Sequence, residues 1–151
     1  MKYDIILSKD NSIISRIIKY LTKSEYSHVS IMVDACYIAE SIGFESVQIK
    51  RFYETDYDVF RVVGLTDEQK EKIGEFIIQN LNHKYDYFRL ISMAFHIIFK
   101  WNVVNISKWY TCDEFVLLSF LNANIDLLPD KDIDEITPND FASSDMLTRV
   151  L

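Results

Sequence analysis

The chain has 151 residues, 49% hydrophobic and 26% charged, with a formal net charge of −7, 3 Gly and 2 Cys. That length suits one domain over residues 1–151, able to bury roughly 70% of the surface of its unfolded form without a disulfide or metal staple. So few glycines exclude a Gly-rich phosphate loop. Two cysteines exclude a disulfide framework or a four-cysteine zinc site, and the acidic balance argues against a nucleic-acid binder.

Tyr3 to Leu7 is a continuous apolar run and reads as a short buried strand, too short for the core of a signal peptide. Ser12 to Leu21 places Ile13, Ile14, Ile17, Ile18 and Leu21 at helical spacing, with Asn11 or Ser12 as the cap. His28 to Val33 alternates apolar Val29, Ile31 and Val33 with His28 and Ser30, the pattern of a half-buried strand. Tyr37 to Ser41 follows an Asp34-Ala35-Cys36 turn and completes a hairpin. Ser46 to Phe52 and Tyr57 to Val63 extend an antiparallel sheet.

Thr66 caps a helix with Gln69 in the capping-box position, and Ile73, Phe76, Ile77 and Leu81 form its apolar stripe. Asp86 to about Phe99 reads as a second, very apolar helix. It is either core or, with Trp101 and Trp109, the wall of an apolar groove or a membrane contact. Cys112 to Leu121 is a third helix, capped by Thr111 with Glu114 three residues on, its stripe being Phe115, Val116, Leu118 and Leu121. Thr137-Pro138-Asn139-Asp140 is a turn or helix start. The fold class is α+β, a small antiparallel sheet or open barrel packed with helices. The longest uncharged apolar stretch, Leu90 to Phe99, is far short of a membrane span, so a soluble, cytoplasmic chain with reduced thiols is expected.

Cys112 falls in the first turn of its helix, where the positive helix end favours a thiolate and free backbone N–H groups can hold an oxyanion. The plainer reading is a buried small hydrophobe. His28 lies on the strand face opposite the apolar residues, toward solvent or a cleft, as a base or as an ordinary exposed histidine. A three-residue turn at 34–36 pairs Val33 with Tyr37 and Ser30 with Glu40, which makes His28 and Glu40 diagonal neighbours on one face. A two-residue turn puts Glu40 on the other face. Zinc binding by Cys36, Cys112, His28 and Glu40 is the weaker alternative, because no Cys-x-x-Cys or His-x-x-x-His pair occurs. His83 and His96 read as structural, and Cys36 as incidental to its turn.

The motifs Asp4-Ile5-Ile6-Leu7, Tyr26-Ser27-His28-Val29-Ser30-Ile31 and Ile38-Ala39-Glu40 are followed by Tyr85-Asp86-Tyr87, Tyr110-Thr111-Cys112-Asp113-Glu114-Phe115-Val116 and Thr137-Pro138-Asn139-Asp140. In this order the chain resembles the circularly permuted branch of the NlpC-type papain-like superfamily, the YiiX-like proteins. The resemblance implies a papain-like fold in which the histidine strand precedes the cysteine helix. It implies Cys112 as nucleophile, His28 as base, Glu40 as the third polar residue, and Tyr110 as an oxyanion or site-lining residue; thiol chemistry of this kind requires no cofactor and no metal. Tyr3 and Ser30 stand where the family commonly has Gly, and Asp113 where Ser often follows the cysteine.

A cysteine hydrolase or acyltransferase is therefore expected, acting on a peptide, amide or acyl-lipid substrate through an acyl-enzyme. A lipid- or partner-binding module of the same fold with little turnover is the alternative. Peripheral contact with lipid is the one membrane association the sequence suggests.

Overall fold

The computed structural model describes residues 1–42, 46–82 and 110–151. The helix expected from Asp86 to Phe99, together with His83, His96, Trp101 and Trp109, lies outside them. Six strands form one antiparallel open sheet in the spatial order β4-β3-β2-β1-β5-β6, with ranges β1 (Ile5–Ser8), β2 (His28–Met32), β3 (Tyr37–Ser41), β4 (Val47–Arg51), β5 (Tyr57–Arg61) and β6 (Thr148–Arg149). Four helices accompany it among the described residues: α1 (Ile13–Thr22), α2 (Asp67–Gln79), α3 (Cys112–Leu121) and α4 (Pro138–Ala142). None of the helices in the described residues is long and apolar enough to cross a membrane.

β1 is central, and the reason is its composition. All four of its residues, Ile5 to Ser8, are buried, because a strand flanked by β2 and β5 and packed on both faces needs apolar side chains in both directions. Ile5 and Leu7 face the main core with Val29, Ile31, Phe60, Ile73, Ile77, Phe115 and Phe120. Ile6 faces the other way and forms a smaller cluster with Ile38 and Val59, flanked by Met32, Phe52 and Tyr57. This second cluster corrects one expectation. Ser30, expected with His28 to face solvent or a cleft, shares a sheet face with Ile6 through the Ile6↔Ser30 pairing, and it is fully buried.

The helix starts follow their capping residues. Ser12 accepts from the Ser15 N–H at 3.2 Å to begin α1, and Thr66 and Gln69 form a reciprocal capping box on α2. The core of α2 is built on Ile73 and Ile77, as the stripe predicts. α3 departs from the predicted stripe. Cys112 to Leu117, Ser119 and Phe120 are buried, Leu118 is half-buried, and Leu121 is exposed. A helix closed in on most sides has no single apolar face to read.

Tyr3 has φ 67, a left-handed backbone that favours glycine, at the position where the resembled family commonly has Gly. Its ring is buried, and a Cβ on Gly74 of α2 would stand 2.5 Å from the Tyr3 hydroxyl. Gly74 is therefore the space into which Tyr3 fits, despite the cost of glycine inside a helix.

Candidate active site

The β2–β3 turn decides whether His28 and Glu40 meet. The Asp34 carboxylate accepts from the Cys36 N–H at 2.7 Å and the Tyr37 N–H at 2.9 Å, an Asx-turn that stabilises the three-residue connection. The resulting register is Ile31↔Ala39 and Met32↔Ile38, whose even sum sets Glu40 on the His28 side. The His28 Nε2 lies 2.9 Å from Glu40 Oε2. Glu40 is fully buried, while the His28 side chain is 21% exposed, so the ring retains a route to solvent.

Cys112 is the first residue of α3 after the Thr111 cap, and it is buried. Its sulfur acts on the His28 ring through charge and a hydrogen bond. Nε2 is the ring nitrogen on Glu40, which leaves Nδ1 as the second ring nitrogen. Burial works against the imidazolium, but the Cys112 sulfur and then the Glu40 carboxylate outweigh it, and His28 is pushed up from 6.5 to about 10. Burial alone would also raise the Glu40 carboxyl. Its bonds to His28 and to Lys50 more than offset this, and its pKa lies below the ordinary value.

Lys50 is the residue that sequence reasoning missed. Its Nζ lies 2.5 Å from Glu40 Oε1, so the carboxylate is shared between an imidazole and an ammonium. The β3–β4 register pairs Glu40 with Gln48 and Ile38 with Lys50, which makes Lys50 a diagonal neighbour of Glu40. Alternation along β4 could have flagged it only if that register were known.

The start of α3 is built from acids. Glu114 Oε2 accepts from the Thr111 N–H at 2.9 Å and its hydroxyl at 3.1 Å. Asp113 Oδ1 accepts from the Thr111 hydroxyl and, at 3.2 Å, from the Glu114 N–H. Asp113 thus turns back onto the cap of its own helix. The Tyr110 hydroxyl donates to Asn80 Oδ1 at 3.1 Å, and the Tyr110 carbonyl accepts from Ser41 Oγ at 2.8 Å. These bonds tie the start of α3 to β3 and to the C-terminal cap of α2. Cys36 is exposed at its turn.

No protein-family description and no curated protein sequence matches the chain. Among solved structures it is similar to metalloprotein yiiX from Escherichia coli O157:H7, DUF1105, at 21% identity and a TM-score of 0.68, over 100% of this chain and 96% of that one. The α+β fold is thus YiiX-like. A metal, which that protein's description implies, does not fit the residues of this site. Among the described residues no three His, Cys, Asp or Glu side chains are grouped to hold a cation. Both oxygens of Glu40 are engaged, one by the Lys50 ammonium, whose charge opposes a second cation there.

Proposed function

We propose that this chain is a thiol hydrolase or acyltransferase of circularly permuted papain-like type, acting on an amide or ester. The observation that carries the reading is one imidazole, His28, held between Glu40 at 2.9 Å and the sulfur of Cys112 at a helix start. A nucleophile, a base and an orienting carboxylate in that sequence are the elements of covalent acyl transfer. The chain order His28, Glu40, Cys112 is the permuted order that the resemblance implies.

In this reading the Cys112 thiolate attacks the carbonyl carbon, a C–S bond forms, and the carbonyl electron pair moves onto oxygen. The Cys112 backbone N–H belongs to the first turn of α3, where helix N–H groups have no partner within the helix, and it stabilises the oxyanion. Collapse breaks the bond to the leaving group, which takes its proton from the His28 imidazolium. Water or an acceptor alcohol or amine then gives a proton to His28 and attacks the thioester, and Cys112 leaves as thiolate. Glu40 holds the ring in position and stabilises its cation throughout, and Lys50 keeps Glu40 ionised.

Alkylation kinetics with iodoacetamide test the reading, with the exposed Cys36 as internal reference. Cys112 is expected to label faster than Cys36 near neutral pH, and His28→Ala is expected to lose that advantage. Intact mass after exposure to p-nitrophenyl esters should show one acyl adduct that is absent in Cys112→Ala. Labelling of Cys112 no faster than Cys36, with no adduct, would overturn the reading in favour of a binding module.

A further inference from the structure

α1 presents an apolar stripe to solvent. Ile13, Ile17 and Tyr20 are 77%, 54% and 84% exposed, and their i, i+4, i+7 spacing aligns them along one side of the helix. Among the described side chains of α1, Ser15, Ile18, Lys19 and Thr22 are half-buried. Two large β-branched side chains and an aromatic left in water on one short helix mark a surface with a partner.

The charges flanking the stripe indicate which partner. Residues 12–23 contain Arg16, Lys19 and Lys23 and no acidic residue, a local charge of +3 in a chain of net charge −7, so the rest of the chain carries −7 − 3 = −10. Lys19 is anchored on the Lys9 carbonyl at 3.1 Å and on Asn11 Oδ1 at 2.8 Å. Arg16 and Lys23 make no ion pair among the described residues. An acidic body with one basic helix, apolar along its outer side, orients toward an anionic surface with that helix first. Tyr20, with an apolar ring and a polar tip, suits the headgroup level of a bilayer.

The position of α1 adds a consequence. The helix occupies the connection between β1 and β2, at the end where Ser8 pairs with His28 and the Ser27 N–H donates to the Ser8 carbonyl at 2.9 Å. We propose that α1 is a membrane-docking helix that seats this chain on an anionic lipid bilayer through Ile13, Ile17 and Tyr20, with Arg16 and Lys23 on the phosphates. Docking there brings the His28 end of the sheet to the lipid. That benefit rests on the thiol reading above, whereas the docking does not.

Flotation with vesicles of phosphatidylcholine containing about a third phosphatidylserine, against pure phosphatidylcholine, tests it on the full chain. Binding to the anionic vesicles is expected, weakening with added salt. Arg16→Gln with Lys23→Asn should weaken it roughly fivefold per charge removed. Asn suits Lys23 because that position has φ 51. Ile13→Ser with Ile17→Ser should weaken binding at least roughly tenfold per residue, with circular dichroism unchanged because both side chains are exposed. In the unmodified chain, hydrogen exchange should slow across residues 13–23 when anionic vesicles are added.

Absence of binding, binding indifferent to the Ile13 and Ile17 pair, or protection only elsewhere would overturn the proposal. So would a dimer in sedimentation that the isoleucine pair dissolves while vesicles stay unbound, since the stripe would then be a contact between copies. Iodoacetamide labelling of Cys112 without vesicles, on the same samples, reports the thiol reading separately.

Discussion

Glu40→Gln isolates the charge of the orienting residue while keeping its shape. In the native site the imidazole is bonded to an ionised carboxylate at 2.9 Å, and its pKa is raised from 6.5 to about 10 against the opposing effect of burial. A hydrogen bond to a charged partner contributes about 1.5–3 kcal/mol and a neutral one about 0.5–1.5 kcal/mol, so the substitution removes about 1.5 kcal/mol of preference for imidazolium. At about 1.4 kcal/mol per pH unit this lowers His28 by about one unit. The Lys50 ammonium, no longer balanced by Glu40, pushes in the same direction. Cys112→Ala should lower His28 as well, because the sulfur also raises the ring. The measurement is an NMR titration of the imidazole Cε1–H signals. The chain has 3 His, and His28 is assigned by its loss in His28→Asn. A native His28 titrating near its ordinary value, or an unshifted His28 in either variant, would refute the electrostatics on which the site's chemistry is argued.

Gly74→Ala should destabilise the native chain by about 1–3 kcal/mol through overpacking, because its Cβ would meet the Tyr3 hydroxyl at 2.5 Å. With Tyr3→Phe the next atom is at 3.7 Å, and the same alanine should then stabilise by up to about 1 kcal/mol as a better helix former. A double-mutant cycle in urea with no coupling would refute the fit of Tyr3 into Gly74. Burial alone would raise the carboxyls of Asp4 and Asp58. The bonds of Asp4 to Arg61 and the N-terminus, and of Asp58 to Tyr26 and Lys9, hold both below 3.8 instead. A carboxyl lowered by folding adds stability that is complete above its unfolded value and lost as pH falls through the folded one. Urea midpoints should therefore drop as pH falls below about 4, and Asp58→Asn should flatten that decline. Thr111→Ala removes the cap of α3 and the hydroxyl that serves Asp113 and Glu114. Thermal unfolding should show a loss near the upper end of the cap range, about 2 kcal/mol, with Thr111→Ser much milder.

Much of the scaffold was legible because its signals are local. The continuous apolar run of β1, the capping boxes at Thr66 and Thr111, and the start of α4 after Thr137 each depend on a few adjacent residues. The three-residue turn was legible only as one of two choices, since the parity of a hairpin depends on its length. The Asp34 side chain, bonded to two N–H groups beyond it, was the available signal. The exposed stripe of α1 was not legible. Spacing identifies an amphipathic helix but not which of its sides meets the protein, and here Ile13 and Ile17 face outward.

The candidate site divides along the same line. Residue order and helix capping place Cys112 at a helix start and His28 on a strand, since both follow from chemistry within a few positions of each residue. Contact between Cys112 and His28, the burial of Ser30, and the Lys50 ammonium on Glu40 are tertiary. Each requires side chains from separate strands or helices to compete for the same space and charge. Two cysteines alike in composition thus end in opposite circumstances, Cys112 buried against an imidazole and Cys36 exposed on a turn. Packing separates them, because α3 is closed in on most sides while the β2–β3 turn projects into water.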